Sequence, residues 1–193
     1  MSENRLNPRS EVRKNQAPVR VRPSAYHANM LPAPTARLRF REMTAADLDE
    51  VEGVLSASDP ARPNRRQRTR ADAEHWIAWN QRNYADHGHG LWVVETHDGH
   101  FIGDCGLSIQ DIEGDPFVEV GYHVHLARRG QGLATEAAMS VREAARVAGV
   151  PYLVAIIRPE NQPSQRVAEK IGLRLERRVF KNGGDALVFG AQL

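Results

Sequence analysis

The sequence predicts a mixed α/β domain built around one sheet, and three features of the pattern indicate it. Residues 37–41 alternate polar and apolar side chains, as a half-buried strand does. Residues 133–148 repeat apolar side chains with a period of about 3.6, which is the period of an amphipathic helix. Residues 152–157 form a continuous apolar run, which is typical of a strand covered on both faces.

The remaining elements follow from capping and turn residues. Thr44 and Asp47 form a capping box that begins the first helix, and Gly149 ends the long one. The turn residues 97–100 and 182–184 each join two predicted strands into a hairpin. In chain order we expect a strand over 37–41, helices over 44–55 and 71–84, strands over 91–96, 101–109 and 117–125, a helix over 133–148, a strand over 152–157, a helix over 163–172, and a hairpin over 173–189.

Composition narrows the class of protein. The 193 residues carry 26 Lys and Arg against 24 Asp and Glu, a net charge of +2 that is too balanced to indicate a nucleic-acid partner. The single cysteine, Cys105, excludes an internal disulfide framework and a cysteine-built zinc site. No apolar run is long enough to span a membrane, and the first residues lack the apolar h-region that is typical of a secretory signal. We therefore expect a cytoplasmic enzyme or binding domain without a membrane partner.

The first 36 residues differ from the rest of the chain. They contain five prolines and a net charge of +4, from six Arg or Lys and two Glu. Such a segment has too little apolar surface to offset the entropy lost on ordering. The sequence therefore predicts a tail over 1–36 and one domain over 37–193. Docking of this tail on the domain or on a partner subunit stays open, and so does a homodimer.

A glycine-containing loop lies between the strand over 117–125 and the long helix. The segment Arg129–Thr135 reads RGQGLAT, and its two glycines leave the backbone accessible to an anion at the helix N-terminus. Several N–H donors acting together suit a pyrophosphate. The spacing is not that of a dinucleotide-binding loop, since Thr135 stands where its last glycine would be, and the Walker Gly-Lys-Ser/Thr is absent. A tight turn without a ligand remains the alternative.

Three motifs resemble the GNAT family of acyl-CoA N-acetyltransferases. Residues 129–134 match its Arg/Gln-x-x-Gly-x-Gly/Ala signature, and EVGY at 119–122 with NQPS at 161–164 and VAEKIGL at 167–173 is similar to its Rim-type branch of ribosomal-protein N-terminal acetyltransferases. The resemblance covers about residues 36–190. It implies a central mixed, mostly antiparallel sheet of about six to seven strands flanked by about four helices. Leu126 and Leu173 replace a usual proline and phenylalanine, which we interpret as packing changes.

The resemblance also implies a binding site for acetyl-CoA as cosubstrate. Backbone groups of the signature loop would hold the pyrophosphate, and those of the preceding strand would pair with the pantetheine arm, which Asn161 would also contact. The implied cofactor-binding residues are Tyr122, His123, Val124, Arg129, Gly130, Gln131, Gly132, Leu133, Ala134, Thr135 and Asn161.

Two residues are catalytic candidates by the same resemblance. Glu119 would be the general base that takes a proton from the attacking amine. Ser164 would lie near the thioester sulfur and protonate the leaving thiolate. The alternatives are that Glu119 is an exposed strand glutamate, that Ser164 caps the following helix, and that His123 is the base. Tyr122 is a further donor, although strand alternation places it on the face opposite Glu119.

Other chemistry-bearing residues have structural interpretations. His123 and His125 share a strand face, but neither they nor His87 and His89 have a third ligand at suitable spacing, so we predict no metal. Cys105 is expected to be a core residue. We interpret Trp76 and Trp79 as core residues, with a surface for ligand binding as the alternative. We interpret the arginines of the loop over 62–70 as solvated. The alternative is that they attract an acidic acceptor or contact the CoA 3′-phosphate.

The sequence therefore predicts an N-acetyltransferase that binds acetyl-CoA and a primary amine together and transfers the acetyl group directly. The amine would belong to a protein N-terminus or to a small molecule. The alternatives are a CoA-binding regulatory or scaffold protein without turnover, and a protein that binds nucleic acid through its basic tail.

Overall fold

The computed structural model describes residues 30–57 and 68–193. Their helices and strands, in chain order, are β1 (Leu38–Arg41), α1 (Leu48–Ser56), α2 (Arg70–His87), β2 (Leu91–Thr96), β3 (Phe101–Ile112), β4 (Asp115–Val124), α3 (Leu133–Val147), β5 (Tyr152–Ile157), α4 (Gln162–Lys170), β6 (Arg174–Lys181) and β7 (Gly184–Gln192). Short 3-10 turns at Ala45–Asp47 and Leu126–Arg128 precede α1 and α3.

Within the described residues the strands form one seven-stranded sheet in the order β1-β2-β3-β4-β5-β7-β6. All neighbouring pairs are antiparallel except β4 and β5, which are parallel. This mostly antiparallel mixed sheet with four α-helices confirms the predicted fold class. The β3–β4 hairpin is longer than predicted, because its turn is the pair Glu113–Gly114, both with positive φ, instead of the whole segment 111–116.

The helices cover the sheet on both faces. Odd-numbered residues of β2, such as Leu91 and Val93, pack with α1 and α2, whereas Trp92 and Val94 belong to a larger core shared with α3 and α4. This alternation follows from the pleat of a strand that is buried on both sides. The gap between β4 and β5 therefore lies between two helical layers, and the site is located there.

Residues 30–36, the described part of the predicted tail, pack on the domain. Met30 is buried, and its N–H donates to the carbonyl of Gly88 at 3.1 Å. The Ser140 hydroxyl on α3 donates to the carbonyl of Ala33 at 2.7 Å. Residues 1–29 lie outside the described residues, so the boundary at 36 stays a prediction. Arg62, Arg65 and Arg66 also lie outside them. No helix of the described part of the chain is long and apolar enough to cross a membrane.

Candidate active site

A cavity of about 740 Å³ runs between β4 and β5 and reaches α2, α3 and α4. It opens there because the two parallel strands are paired only at Val118↔Leu153 and Glu119↔Val154 and diverge beyond that point. Nearly all of the predicted site residues line it. These are Glu119, Tyr122, His123, Val124, Arg129, Gly130, Gly132, Leu133, Ala134, Thr135, Asn161 and Ser164; Gln131 does not.

The carboxylate of Glu119 lies where β4 and β5 separate. The N–H of Ile156 on β5 donates to Glu119 Oε1 at 3.2 Å, and the Ser108 hydroxyl on β3 donates to Oε2 at 3.3 Å. The Gln110 amide donates in turn to the Ser108 hydroxyl at 3.2 Å. Glu119 is therefore held by two neighbouring strands and is not an exposed strand glutamate.

The pKa of Glu119 is raised to about 7, because the effect of burial is larger than that of the hydrogen bonds from Ile156 and Ser108, which lower it. A carboxylate with this pKa is ionised for part of the time near neutral pH and accepts a proton readily. This is the protonation behaviour that general-base catalysis requires. Desolvation therefore gives Glu119 the property that the sequence resemblance implies.

The raised pKa makes a prediction about stability. A group whose pKa is higher in the folded state stabilises the fold while protonated, and that contribution is lost as the pH rises through the folded value of about 7. Glu119→Gln is neutral at every pH. We therefore expect the variant to be more stable than the wild type at pH 8 by ~1–2 kcal/mol, allowing for solvent in the cavity, with no such gain at pH 4.

Calorimetric unfolding at the two pH values measures this effect as a shift of Tm. An exposed carboxylate beyond the first turn of α2, Glu74, supplies the control variant Glu74→Gln, for which we expect nearly equal Tm differences at both pH values. A Glu119→Gln protein that is less stable than the wild type at pH 8 would show that the carboxylate is not desolvated.

The loop before α3 forms an open cradle at the helix N-terminus. Gly130 and Gly132 have φ of 76° and 79°, and a Cβ added at Gly130 would meet nothing within 4 Å. The first bond of the α-helical pattern runs from the Glu136 N–H to the Gly132 carbonyl. The N–H groups of residues 133–135 therefore precede the helix's own hydrogen bonding and are oriented for an anion.

Arg37, at the start of the domain, fixes this loop from outside. Its guanidinium contacts Glu136 on the first turn of α3, with Nε at 2.6 Å from Oε2, and donates from Nη1 to the Gln131 carbonyl at 3.1 Å. The Arg37 N–H and the Thr35 hydroxyl donate to the other oxygen of Glu136 at 3.0 and 2.5 Å. The Gln131 carbonyl is thus bound to Arg37, which explains why Gln131 does not line the cavity.

The predicted pantetheine contacts surround the opening of β4. Asn161 Oδ1 accepts from the Ser164 N–H at 3.3 Å, so Asn161 and not Ser164 is the N-cap of α4. The Tyr122 hydroxyl donates to the Ser164 carbonyl at 2.8 Å, and burial holds its pKa well above the usual range. Tyr122 therefore joins β4 to α4 as a neutral phenol. Arg129 folds back, and its Nε donates to the Val124 carbonyl at 3.0 Å.

His123 is paired with a buried carboxylate. Its Nδ1 lies 2.7 Å from Oδ1 of Asp104, a residue only 2% exposed, and Oδ2 of Asp104 accepts from the Trp76 indole at 3.3 Å. Trp76 and Trp79 line the cavity as well as packing on the core, so the core interpretation is only partly right. The Cys105 thiol is buried, which raises its pKa and makes it a poor nucleophile.

The sequence reasoning missed Ser108, Gln110, Asp104 and Arg37. One signal was available: Asp104 is the charged residue of the otherwise apolar segment 101–107, and buried charges are paired. In the described part of the chain, no group of three or more His, Cys, Asp or Glu side chains is placed to hold a metal.

Comparison with known proteins identifies the family. The family model of the acetyltransferase (GNAT) domain matches residues 37–174. The chain is 34% identical to the uncharacterized protein YkkB of Bacillus subtilis over 152 residues, which cover 76% of this chain and 87% of YkkB.

Solved structures agree on the fold. The acetyltransferase from Agrobacterium tumefaciens superposes with a TM-score of 0.69 at 24% identity, covering 84% of this chain and 94% of that one. RimJ of Mycobacterium smegmatis, in complex with CoA-disulfide, gives a TM-score of 0.64 at 21% identity, covering 86% and 90%. As the motifs at 119–122, 129–134 and 161–173 predict, the chain belongs to the GNAT family of acetyltransferases.

Proposed function

We propose that this protein transfers the acetyl group of acetyl-CoA directly to a primary amine within a ternary complex. The observation that carries the proposal is the gap between β4 and β5, which has an anion cradle at one end and the Glu119 carboxylate at the other. The RimJ structure contains CoA-disulfide, which supports CoA as the acyl carrier for this chain as well. We also propose that the protein is located in the cytoplasm.

The residues present fit acetyl-CoA. The cradle over residues 129–135 would accept the pyrophosphate through backbone N–H groups, and exposed basic side chains of the lining, Arg128 and Arg166, would add charge. The backbone groups of Tyr122 and the N–H of Val124, which β5 leaves unpaired, would bind the pantetheine amides, and His123 lies between them with its own backbone groups turned to Asp104 of β3. The Asn161 amide N–H₂ would donate to the same arm, since its oxygen caps α4.

In the proposed reaction the neutral amine nitrogen attacks the thioester carbonyl carbon, so that an N–C bond forms and the C–S bond breaks. Glu119 takes the proton that the amine loses, directly or through water. The CoA thiolate leaves and takes up one proton, for which the Ser164 hydroxyl is the proposed donor. Tyr122 has a positioning role, because its hydroxyl is bound to the Ser164 carbonyl.

A turnover assay tests this proposal. Acetyl-CoA is supplied with small primary amines and, in parallel, with peptides that have free N-termini, and both CoA thiol and acetylated amine are measured. We expect the two products in equal amounts. CoA binding in calorimetry without turnover of any amine would favour a CoA-binding regulatory protein instead.

The contacts of Arg37 predict a specific effect on cofactor affinity. Arg37→Ala removes the bonds to Glu136 and the Gln131 carbonyl and frees the loop that presents the N–H groups. Because these bonds are partly exposed, we expect Kd for CoA to rise by only ~3–10-fold, with kcat unchanged.

Titration calorimetry with CoA measures this change. Arg146→Ala is the matched control, since it also breaks an Arg–Glu pair on α3, with Glu143, but lies at the far end of the helix. Equal affinities in the wild type and Arg37→Ala would show that the loop holds its shape without the anchor.

A further inference from the structure

Two indoles form a wall on the α2 side of the cavity. The rings of Trp76 and Trp79, one turn apart on α2, stack with centroids 5.2 Å apart and planes inclined by 23°. Both side chains are half-buried and line the cavity, whereas the third tryptophan of the chain, Trp92, is buried in the core. The wall therefore presents flat apolar surface to a molecule that occupies the cavity, which Glu119 also lines.

The wall is held in place by polar contacts behind it. Asp104 accepts from the Trp76 indole through one oxygen and contacts His123 Nδ1 through the other, and the His123 ring stands edge-on to Trp76 at 5.7 Å. Since Asp104 is buried and both of its oxygens are engaged, Trp76 has little freedom to turn away. A preorganised aromatic surface loses little entropy when a ligand covers it.

Charge differs between the two sides of the cavity. Arg128, Arg129, Arg166 and Lys170 line it at the α3 and α4 side, and Arg158, which follows β5, lines it while donating to the carbonyls of Asp185 and Asn182. On the α2 side the lining residues are the two indoles, Leu91, Ser108, Gln110, Glu119 and His123. Among the described lining residues Glu119 is the one carboxylate, and it lies on the same face of β4 as His123, whose ring contacts Trp76. A cation is attracted both by this carboxylate and by the π-faces, and an anion by neither.

We propose that the acceptor is a primary amine that carries an aromatic ring a few bonds from its nitrogen, so that the ring packs on Trp76 and Trp79 while the nitrogen meets Glu119. This inference rests on the proposed acetyl transfer. The chemistry occurs both in small arylalkylamines and in peptides that begin with an aromatic residue. The ring excludes water from the indoles, and the neutral amine nitrogen attacks the thioester carbonyl while Glu119 takes the proton that the nitrogen loses.

The test compares acceptors that differ only in the ring. The small-molecule pair is 2-phenylethylamine and propylamine, and the peptide pair has N-terminal Phe or Ala in one sequence. We expect kcat/KM to be at least ~10-fold higher for the ring-bearing member of at least one pair, and the pair that responds identifies the source. Equal values within both pairs, or a preference for a peptide with N-terminal Asp, would overturn the inference.

Variants of Trp79 locate the effect, because the two oxygens of Asp104 contact Trp76 and His123 and the Trp79 variants leave both contacts in place. Trp79→Ala is expected to lower kcat/KM for the ring-bearing acceptor ~10-fold and to leave its ringless partner within about twofold, while Trp79→Phe retains most of the preference. Equal losses for both members would assign Trp79 a merely structural role and contradict the proposal.

A binding measurement separates this inference from the proposed function. Two of the three tryptophans line the cavity, so tryptophan emission reports its occupation. We expect 2-phenylethylamine or the Phe peptide to change the emission of the wild type saturably and that of Trp79→Ala much less. Saturable binding without turnover of any amine would refute acetyl transfer but support the aromatic site, whereas turnover without ring preference would refute the aromatic site alone.

Discussion

Glu119→Gln is expected to lower kcat for amine acetylation by ~10²-fold or more while leaving the affinity for acetyl-CoA unchanged. The amide keeps the shape of the carboxylate and can accept from the Ile156 N–H and donate to Ser108, so the separation of β4 and β5 is preserved. What it loses is the ability to take a proton. Steady-state kinetics with saturating amine, together with CoA calorimetry, measures both quantities.

The pH profile distinguishes a base from a merely structural residue. Because the pKa of Glu119 is raised to about 7, the wild-type rate should fall as the pH drops below neutrality and the carboxylate becomes protonated. The small residual rate of Glu119→Gln should not show this fall below neutral pH. Gln110→Ala is the control, since it removes a contact to Ser108 but no contact to the carboxylate. Full activity of Glu119→Gln would remove Glu119 from the base role.

Gly132→Glu is expected to abolish detectable binding of CoA. Gly132 is the N-cap of α3, and a carboxylate there repels the phosphates that the cradle is proposed to bind. Its φ of 79° also strains any larger residue, by ~1–2 kcal/mol. Titration calorimetry with CoA measures the loss directly.

The opposite end of α3 offers a matched control for strain. Gly149 has φ of 81°, and a Cβ added there would meet nothing within 4 Å, so Gly149→Glu carries the same backbone strain and the same charge. We expect this variant to lose at least as much stability, because its carboxylate faces the negative end of the helix dipole, and to bind CoA like the wild type. Equal loss of binding in both variants would show that strain, and not the cradle, explains the effect.

Local patterns predict most of the fold because they depend on neighbouring residues. The capping box of Thr44 and Asp47, the alternation in β1 and the apolar run of β5 each concern a few consecutive positions. The two strands lie where they are expected, and the capping box begins the 3-10 turn that leads into α1. The signature loop is equally local, so residues 129–135 could be placed at the N-terminus of α3 from the sequence.

Contacts between distant segments could not be predicted in the same way. Arg37 meets Glu136 across 99 positions, and Ser108 meets Glu119 only because of the β3–β4 register, which depends on the turn at Glu113–Gly114. The cap of α4 illustrates the same limit at short range. Asn161 and Ser164 are both good capping residues, and only the backbone geometry assigns the cap to Asn161.

The environment of Glu119 also depends on tertiary structure. Nothing in EVGY indicates that the chain surrounds this carboxylate enough to raise its pKa to about 7, or that the Ile156 N–H binds it. The resemblance to the GNAT family suggested its role, while the physical basis for that role comes from its position between diverging strands.

Acetyl-CoA turnover followed by intact-protein mass spectrometry tests direct transfer most directly. The protein is mixed with acetyl-CoA alone and then with the acceptor amine, and thiol release and protein mass are recorded in both states. We predict thiol release that depends on the amine, an equal amount of N-acetylated product, and a protein mass that never gains an acetyl group. Amine-independent thiol release accompanied by acetylated protein would contradict the account.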